Sequence, residues 1–259
     1  MYILGMFDNK IVFRALPEFI KWNSDVKPEP VSMNVPEWYK KLEHKLGLFT
    51  VKGCLPFMDS LTTGYMLKTA QDYYITMKPQ ENPEIEEDKW EYKVQTSFSM
   101  APPFMQTQAN YLGIGPEPGF HPFKQLEGSS FMEKNLSYKF FKFENPWFIE
   151  TPKGYSCLFL PLLNNNDDRF EILPGIVDTD MHTHRVQLPS VFNGWKYKNG
   201  YEGTIKKGTP FAQVIPFKRD RWKMQIKPIT KKEIDEKDFK LSTTRYKFIR
   251  SVWNKKITK

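Results

Sequence analysis

The sequence predicts a mainly β fold, a single sandwich- or barrel-like domain of the β-clip or jelly-roll type, with a short N-terminal helix and a C-terminal basic helical arm. Three observations predict it. Apolar runs of strand length alternate with turn signals through residues 143–222, where Pro152-Lys153-Gly154, Asn164-Asn165-Asn166-Asp167, Pro174-Gly175, Asn199-Gly200 and Lys207-Gly208 break the chain. Twenty prolines are spread over 259 residues, and each one removes a backbone donor and fixes φ, which disfavours long helices. Hydrophobic residues make up 40% and aromatics 15%, a composition that can bury a large core and is not that of a disordered chain. The expected division is a β-rich core over 1–229, carrying a long loop at 101–130, and an arm over 230–259.

Charge separates these parts. The chain carries 38 Lys/Arg and 30 Asp/Glu, a net +8. Residues 218–259 hold 15 basic and 5 acidic side chains, a net +10, and residues 1–217 hold 23 and 25, a net −2. The cationic arm suits phosphates, an acidic protein surface or nucleic acid. No apolar run reaches the roughly 18 residues of a membrane span. MYILGMFDNK has an early acid and no basic segment before a long apolar one, so no secretory signal is expected. Cys54 and Cys157 both sit among apolar residues and read as buried thiols of an intracellular protein, in a cell or an infected host, or in a virion.

Taken in order, residues 2–15 read as two short strands around an Asp8-Asn9 turn, and residues 24–36, with Pro28, Pro30 and Pro36, as an extended connector. Pro36 opens an amphipathic helix with Trp38, Leu42 and Leu46 on one face, ended by Gly47, and His44 lies off that face. Leu48–Val51 and 64–77 read as strands, the second alternating Tyr73 and Ile75 against Tyr74 and Thr76. Asp59 suits an Asx-turn. Residues 79–89 are an acidic solvated loop, and Trp90, Tyr92 and Val94 alternate as a half-buried strand. Residues 101–130 show almost no periodicity and read as an ordered loop, a lid or a contact with another chain, in which His121 and Gln125 form the polar cluster. Residues 139–143 lead into the central β stretch. MQIKPI, residues 224–229, reads as the last strand. Thr230 and Glu233 have capping-box spacing, and residues 243–256 place Tyr246, Ile249, Val252 and Trp253 opposite Arg245, Lys247, Arg250 and Lys255 on a basic amphipathic helix.

The richest chemical cluster is Asp178-Thr179-Asp180-Met181-His182-Thr183-His184. An extended chain would put both acids and both histidines on one face, and two His with a carboxylate suit a divalent metal such as Mg or Fe. Arg219 beside Trp222 could hold phosphate or rim a strand end in an ion pair.

Two resemblances extend this reading. TPKGYSCLFLPLL, ILPGIVDTD and IKKGTPFAQVI follow the order of the dUTPase and dCTP deaminase superfamily over about 70 residues. Residues 175–180 (GIVDTD) resemble its third motif and residues 208–215 (GTPFAQVI) its fourth. The resemblance implies a β-clip in which Asp178 orients a nucleophilic water, the turn at Gly175 lets backbone approach a deoxyribose and Gln213 closes a strand. The expected pocket lies between the catalytic acids Asp178 and Asp180 and the 101–130 loop, with Gly175, Gln213, His121, Gln125 and Arg219 as the expected ligand-binding residues. Met181 stands where that family has a Tyr, and LPLLNNND stands where it has a phosphate-binding Arg-Ser-Gly, so catalysis is expected to be lost or altered. GIVDTDMHTH also resembles the first cupin motif, without its downstream Glu. Over most of its length the chain resembles a family of similar-sized proteins of marine tailed phages and some bacteria, through KGCLPFMD, HPFKQ, NPWFIETPKGYSCLF, GIVDTD and GTPFAQVIPFKRDRW. Three functions are therefore expected. The first is binding of a nucleotide or other small anion, and the second a structural role in which copies oligomerise through β edges and the arm. The third is metal-dependent oxygenation through His182, His184 and an Asp.

Overall fold

The computed structural model describes residues 10–45, 47–79, 90–115, 119–131, 139–193, 196–197, 200–240 and 242, and these form fourteen strands in four sheets. The fold is mainly β and sandwich-like, and no sheet closes into a barrel among the described residues. The chain divides into two compact units. The first, Met1–Pro36 with Leu61–Arg219, holds all four sheets, and the second is Glu37–Ser60 with Asp220–Lys259.

Alternation builds the three-stranded sheet of the first unit. In β4 (Tyr73–Pro79), Tyr73, Ile75 and Met77 are buried while Tyr74 and Thr76 are half-buried, so the period of 2 separates a core face from an outer face. β4 pairs with β13 (Tyr201–Ile205) on one side and β5 (Trp90–Thr96) on the other, which leaves β5 at the sheet's edge. The five-stranded sheet runs β11 (Gly175–Val177), β9 (Tyr155–Leu160), β14 (Pro210–Lys218), β3 (Tyr65–Lys68) and β2 (Glu29–Pro30). Its middle strand, β14, is the longest in the fold and is buried from Phe211 through Val214, as a strand flanked on both sides should be. The four-stranded sheet is β10 (Phe170–Ile172), β12 (Leu188–Phe192), β7 (Lys139–Phe143) and β6 (Phe120–Pro122), and β1 (Val12–Arg14) pairs with β8 (Phe148–Glu150).

One core joins these sheets. Phe143 of β7 is fully buried and meets the rings of Phe170 at 4.7 Å, Phe141 and Phe211 at 4.9 Å and Tyr73 at 5.2 Å, drawing on strands from three sheets. Offset and edge-to-face packing at such separations is favourable beyond the area buried.

Several elements differ from expectation. Residues 101–130 are not one irregular loop, because α4 (Pro103–Leu112) forms within them. Pro103 needs no donor in the first turn, and Gly113 at φ 79° ends the helix with its N–H on the carbonyls of Ala109 and Asn110. The helix buries Ala109 and Leu112. In the second unit, the helix opened by Pro36 is only Glu37–Lys41 (α2, after α1 at Pro17–Trp22), and its inward residue is Tyr39, stacked on Phe57, while Trp38 is half exposed. Leu48–Val51 is not a strand: Leu48 makes a single bridge to Lys45, and Val51–Gly53 is a 3-10 turn. Asp59 lies inside helix α3 (Leu55–Ser60) instead of opening a turn. Cys54 is exposed because it joins that turn to α3, whereas Cys157 of β9 is buried as expected. Residues 224–229 form no strand. A helix does begin at 231 and runs to 240. The Asp8-Asn9 turn, the 80–89 part of the acidic loop and the 243–256 helix lie outside the described residues.

Candidate functional site

The antiparallel pairing of β9 with both β11 and β14 sets the geometry of the acidic corner. Val177 stands opposite Cys157 and Lys218 opposite Tyr155, so the ends of β11 and β14 converge on the start of β9. Beyond β11 the chain does not stay extended. The N–H groups of Met181 and His182 both donate to the Asp178 carbonyl at 2.9 Å, closing a turn that removes the expected period-2 alternation of acids and histidines.

That turn presents both acids to Arg219, the residue after β14. Its guanidinium donates to Asp180 Oδ1 at 2.8 Å and Oδ2 at 2.5 Å, to Ser156 Oγ at 2.9 Å and to the Tyr155 carbonyl at 3.0 Å, and it lies 3.1 Å from Asp178 Oδ1. Ser156 in turn donates to Asp178 at 2.6 Å, and the Gly154 N–H donates to Asp180 at 2.8 Å. The Arg219 backbone N–H returns the contact to the Gly154 carbonyl at 2.8 Å. The Asp180 side chain is 3% exposed, against 58% for Asp178. The Arg219 fork, then the Gly154 N–H, hold the Asp180 carboxyl down to about 2, and the same pairing raises Arg219. Beneath them Thr179, buried, shares a hydrogen bond of 2.7 Å with Thr151 and donates to Cys157 Sγ at 3.3 Å. Burial pushes the Cys157 thiol up.

Asp178, Asp180 and Arg219 thus come together, with the backbone of His182 in the same turn, and the other predicted site residues lie elsewhere. Gln213 of β14 is fully buried: its carbonyl accepts from the Leu163 N–H at 2.9 Å and its amide donates to the Thr63 carbonyl at 2.7 Å. Gly175 is exposed in β11, and a Cβ added there would meet nothing, so no close backbone approach demands glycine. His121 of β6 stacks on Phe140 with ring centres 5.2 Å apart, and Gln125 is exposed in the 3-10 turn Phe123–Leu126. His182 and His184 are exposed, their rings 6.2 Å apart, and His184 Nδ1 shares a hydrogen bond with Thr183 Oγ1. Among the described residues no group of three His, Cys, Asp or Glu is arranged to hold a metal ion.

Two features lie outside the predicted site residues, and the first carried no signal in the sequence. Glu144, at the end of β7, is held above the usual carboxylate range by burial, with Lys142 and Arg185 opposing the shift. The Arg185 guanidinium occupies the space a Cβ on Gly113 would need, coming within 1.4 Å of that point, so the left-handed cap of α4 also makes room for a cation. Arg185 also lies over the Phe148 ring at 5.4 Å.

The second feature is the segment after Arg219. Residues 219–230 contain no helix, strand, turn or bend, and every one is exposed. Trp222 and Met224 are 89% exposed and Ile226 is 86% exposed. Arg221, Lys223 and Lys227 occupy the intervening positions and make no ion pair with a described residue. The segment ends in a capping box. Glu233 accepts from the N–H and Oγ1 of Thr230 at 2.9 and 2.7 Å, and the Glu233 N–H returns to Thr230 Oγ1 at 3.3 Å, starting the helix over 231–240. Among the described residues no helix is long and apolar enough to cross a membrane. No protein-family model, curated protein or solved structure matches the chain.

Proposed function

We propose that this is an interaction protein that assembles with further copies of itself by adding its 221–227 segment to a sheet edge of a neighbouring copy. One observation carries the reading. The segment has the alternating pattern of a strand, yet it pairs with nothing among the described residues and leaves Trp222, Met224 and Ile226 in water. Burying such side chains is favourable by about 2 kcal/mol each, so a partner surface has much to gain. Strand addition also satisfies the bare backbone N–H and C=O groups.

A second copy fits this surface. β5 is an edge strand of seven residues, the same length as 221–227. The sequence just before it carries Glu81, Glu84, Glu86, Glu87 and Asp88, opposite in charge to Arg221, Lys223 and Lys227. The acidic corner serves this role as a fastening: Arg219, where the segment leaves β14, is tied to Asp180, Ser156, Tyr155 and Gly154.

Sedimentation velocity over a range of concentrations tests the proposal. The full chain is expected to form a discrete oligomer, and the triple variant Trp222→Ser, Met224→Ser, Ile226→Ser is expected to be monomeric with unchanged circular dichroism. A wild-type chain that stays monomeric up to high micromolar concentration overturns the proposal.

A further inference from the structure

The same segment has a second face, and it points to a different kind of partner. We infer that the face carrying Arg221, Lys223 and Lys227 binds the sugar-phosphate backbone of a single-stranded nucleic acid, without reading its bases.

The inference starts from how charge is distributed. The second unit, Glu37–Ser60 with Asp220–Lys259, carries 17 Lys/Arg and 8 Asp/Glu, a net +9, while the first carries 21 and 22, a net −1. The whole cationic excess therefore belongs to one unit. Part of it is neutralised locally: Lys40 pairs with Glu37, Lys45 with Glu43 and Lys231 with Asp235. Arg221, Lys223 and Lys227 have no such partner among the described residues.

Their spacing matters more than their number. They stand at i, i+2 and i+6 in a run without turn or bend, with Gln225 at i+4, and Pro228 holds Lys227 out of the helical region. In an extended chain this places the cations along one side about 6.6 Å and then about 13 Å apart, with Gln225 in the wider gap, opposite Trp222, Met224 and Ile226. A line of cations along an extended, exposed stretch suits a flexible polymer that bears one negative charge per repeat. A membrane-surface segment would instead separate its apolar and basic residues on the two sides of a helix. In the same unit Lys41 and Lys52 line an open depression with Leu42, His44 and the Lys45–Glu43 pair.

The two faces give the two readings separate tests, since removing the apolar side chains abolishes assembly and leaves the cations in place. Fluorescence anisotropy with labelled oligothymidylate, measured at several salt concentrations, tests the inference. Three phosphate contacts predict that the arm contributes about −2 to the slope of log K against log salt for a single strand. Arg221→Gln with Lys223→Gln and Lys227→Gln should make the slope shallower by that amount. The apolar triple variant, Trp222→Ser with Met224→Ser and Ile226→Ser, should keep the slope even where it loses assembly. An oligonucleotide affinity that the three Gln substitutions leave untouched overturns the inference, as does absence of binding at low salt. Binding to vesicles of anionic phospholipid without binding to the oligonucleotide overturns it too and assigns the face to a lipid surface.

Discussion

Gln213→Met separates a ligand-binding amide from a structural one, and its size can be worked from the structure. Gln213 is fully buried in β14, and its two amide atoms bridge the Leu163 N–H at 2.9 Å and the Thr63 carbonyl at 2.7 Å, joining segments far apart in the chain. Met fills a similar volume, so no large cavity is left and the change removes at least these two hydrogen bonds. Abandoning a buried polar group costs about 1–3 kcal/mol. Leu163 and Thr63 are themselves exposed residues, so water can reach their backbone groups and the low end applies, about 2 kcal/mol for the pair. In a chain of this length that lowers Tm by about 4–8 °C. Thermal unfolding followed by circular dichroism, at one protein concentration, reads the change. An unchanged Tm, together with a wild-type rise in Tm on adding a deoxynucleotide that the variant loses, would refute the reasoning and give Gln213 back to a ligand site.

Three further predictions follow from the same structure. Phe143→Ala removes the ring at which three sheets meet and should cost about 3–5 kcal/mol, read as a lower urea midpoint; a loss below about 1 kcal/mol would show that the cluster is not the centre of the core. One thiol of two should react with an aromatic disulfide reagent in the native protein, because Cys54 is exposed and Cys157 is buried with its pKa raised; two fast-reacting thiols would contradict the burial of β9. The Asp180 carboxyl is depressed to about 2, so its contribution to stability is fully present above the unfolded value near 4 and is lost as pH falls towards 2. The Tm gap between wild type and Asp180→Asn should therefore be constant from pH 7 to about 5 and close below about 4, and a gap that persists at pH 2 would mean that the Arg219 pairing is not its source.

The strands were legible where two signals agreed. Tyr73 to Met77 alternates in sequence and is buried on alternate residues, and the turn signals at Pro152-Gly154 and Pro174-Gly175 bracket β9 and β11. α4 escaped notice because its apolar residues are few and its two ends, Pro103 and Gly113, read equally well as loop punctuation. The short helix after Pro36 was legible as a helix but not in its facing, since Trp38 and Tyr39 are adjacent aromatics and only packing against Phe57 chooses between them. At the corner, a turn and not the expected alternation groups Asp178 with Asp180. Their pairing with Arg219 could not be read from spacing, because it arises from strand register across 39 residues of chain.

By itself the sequence determined the mainly β class of fold, the chain breaks ahead of β9 and β11, the capped start of the helix at 231 and the segregation of positive charge, since each depends on neighbouring residues or on composition alone. The tertiary structure decided which strand borders which, that Gln213 is a strut inside the sheet, that Asp180 is matched by Arg219, and that the strand-like stretch from 221 to 227 finds no mate among the described residues. Those outcomes depend on which distant backbones come to lie about 5 Å apart, and local chemistry does not specify that separation.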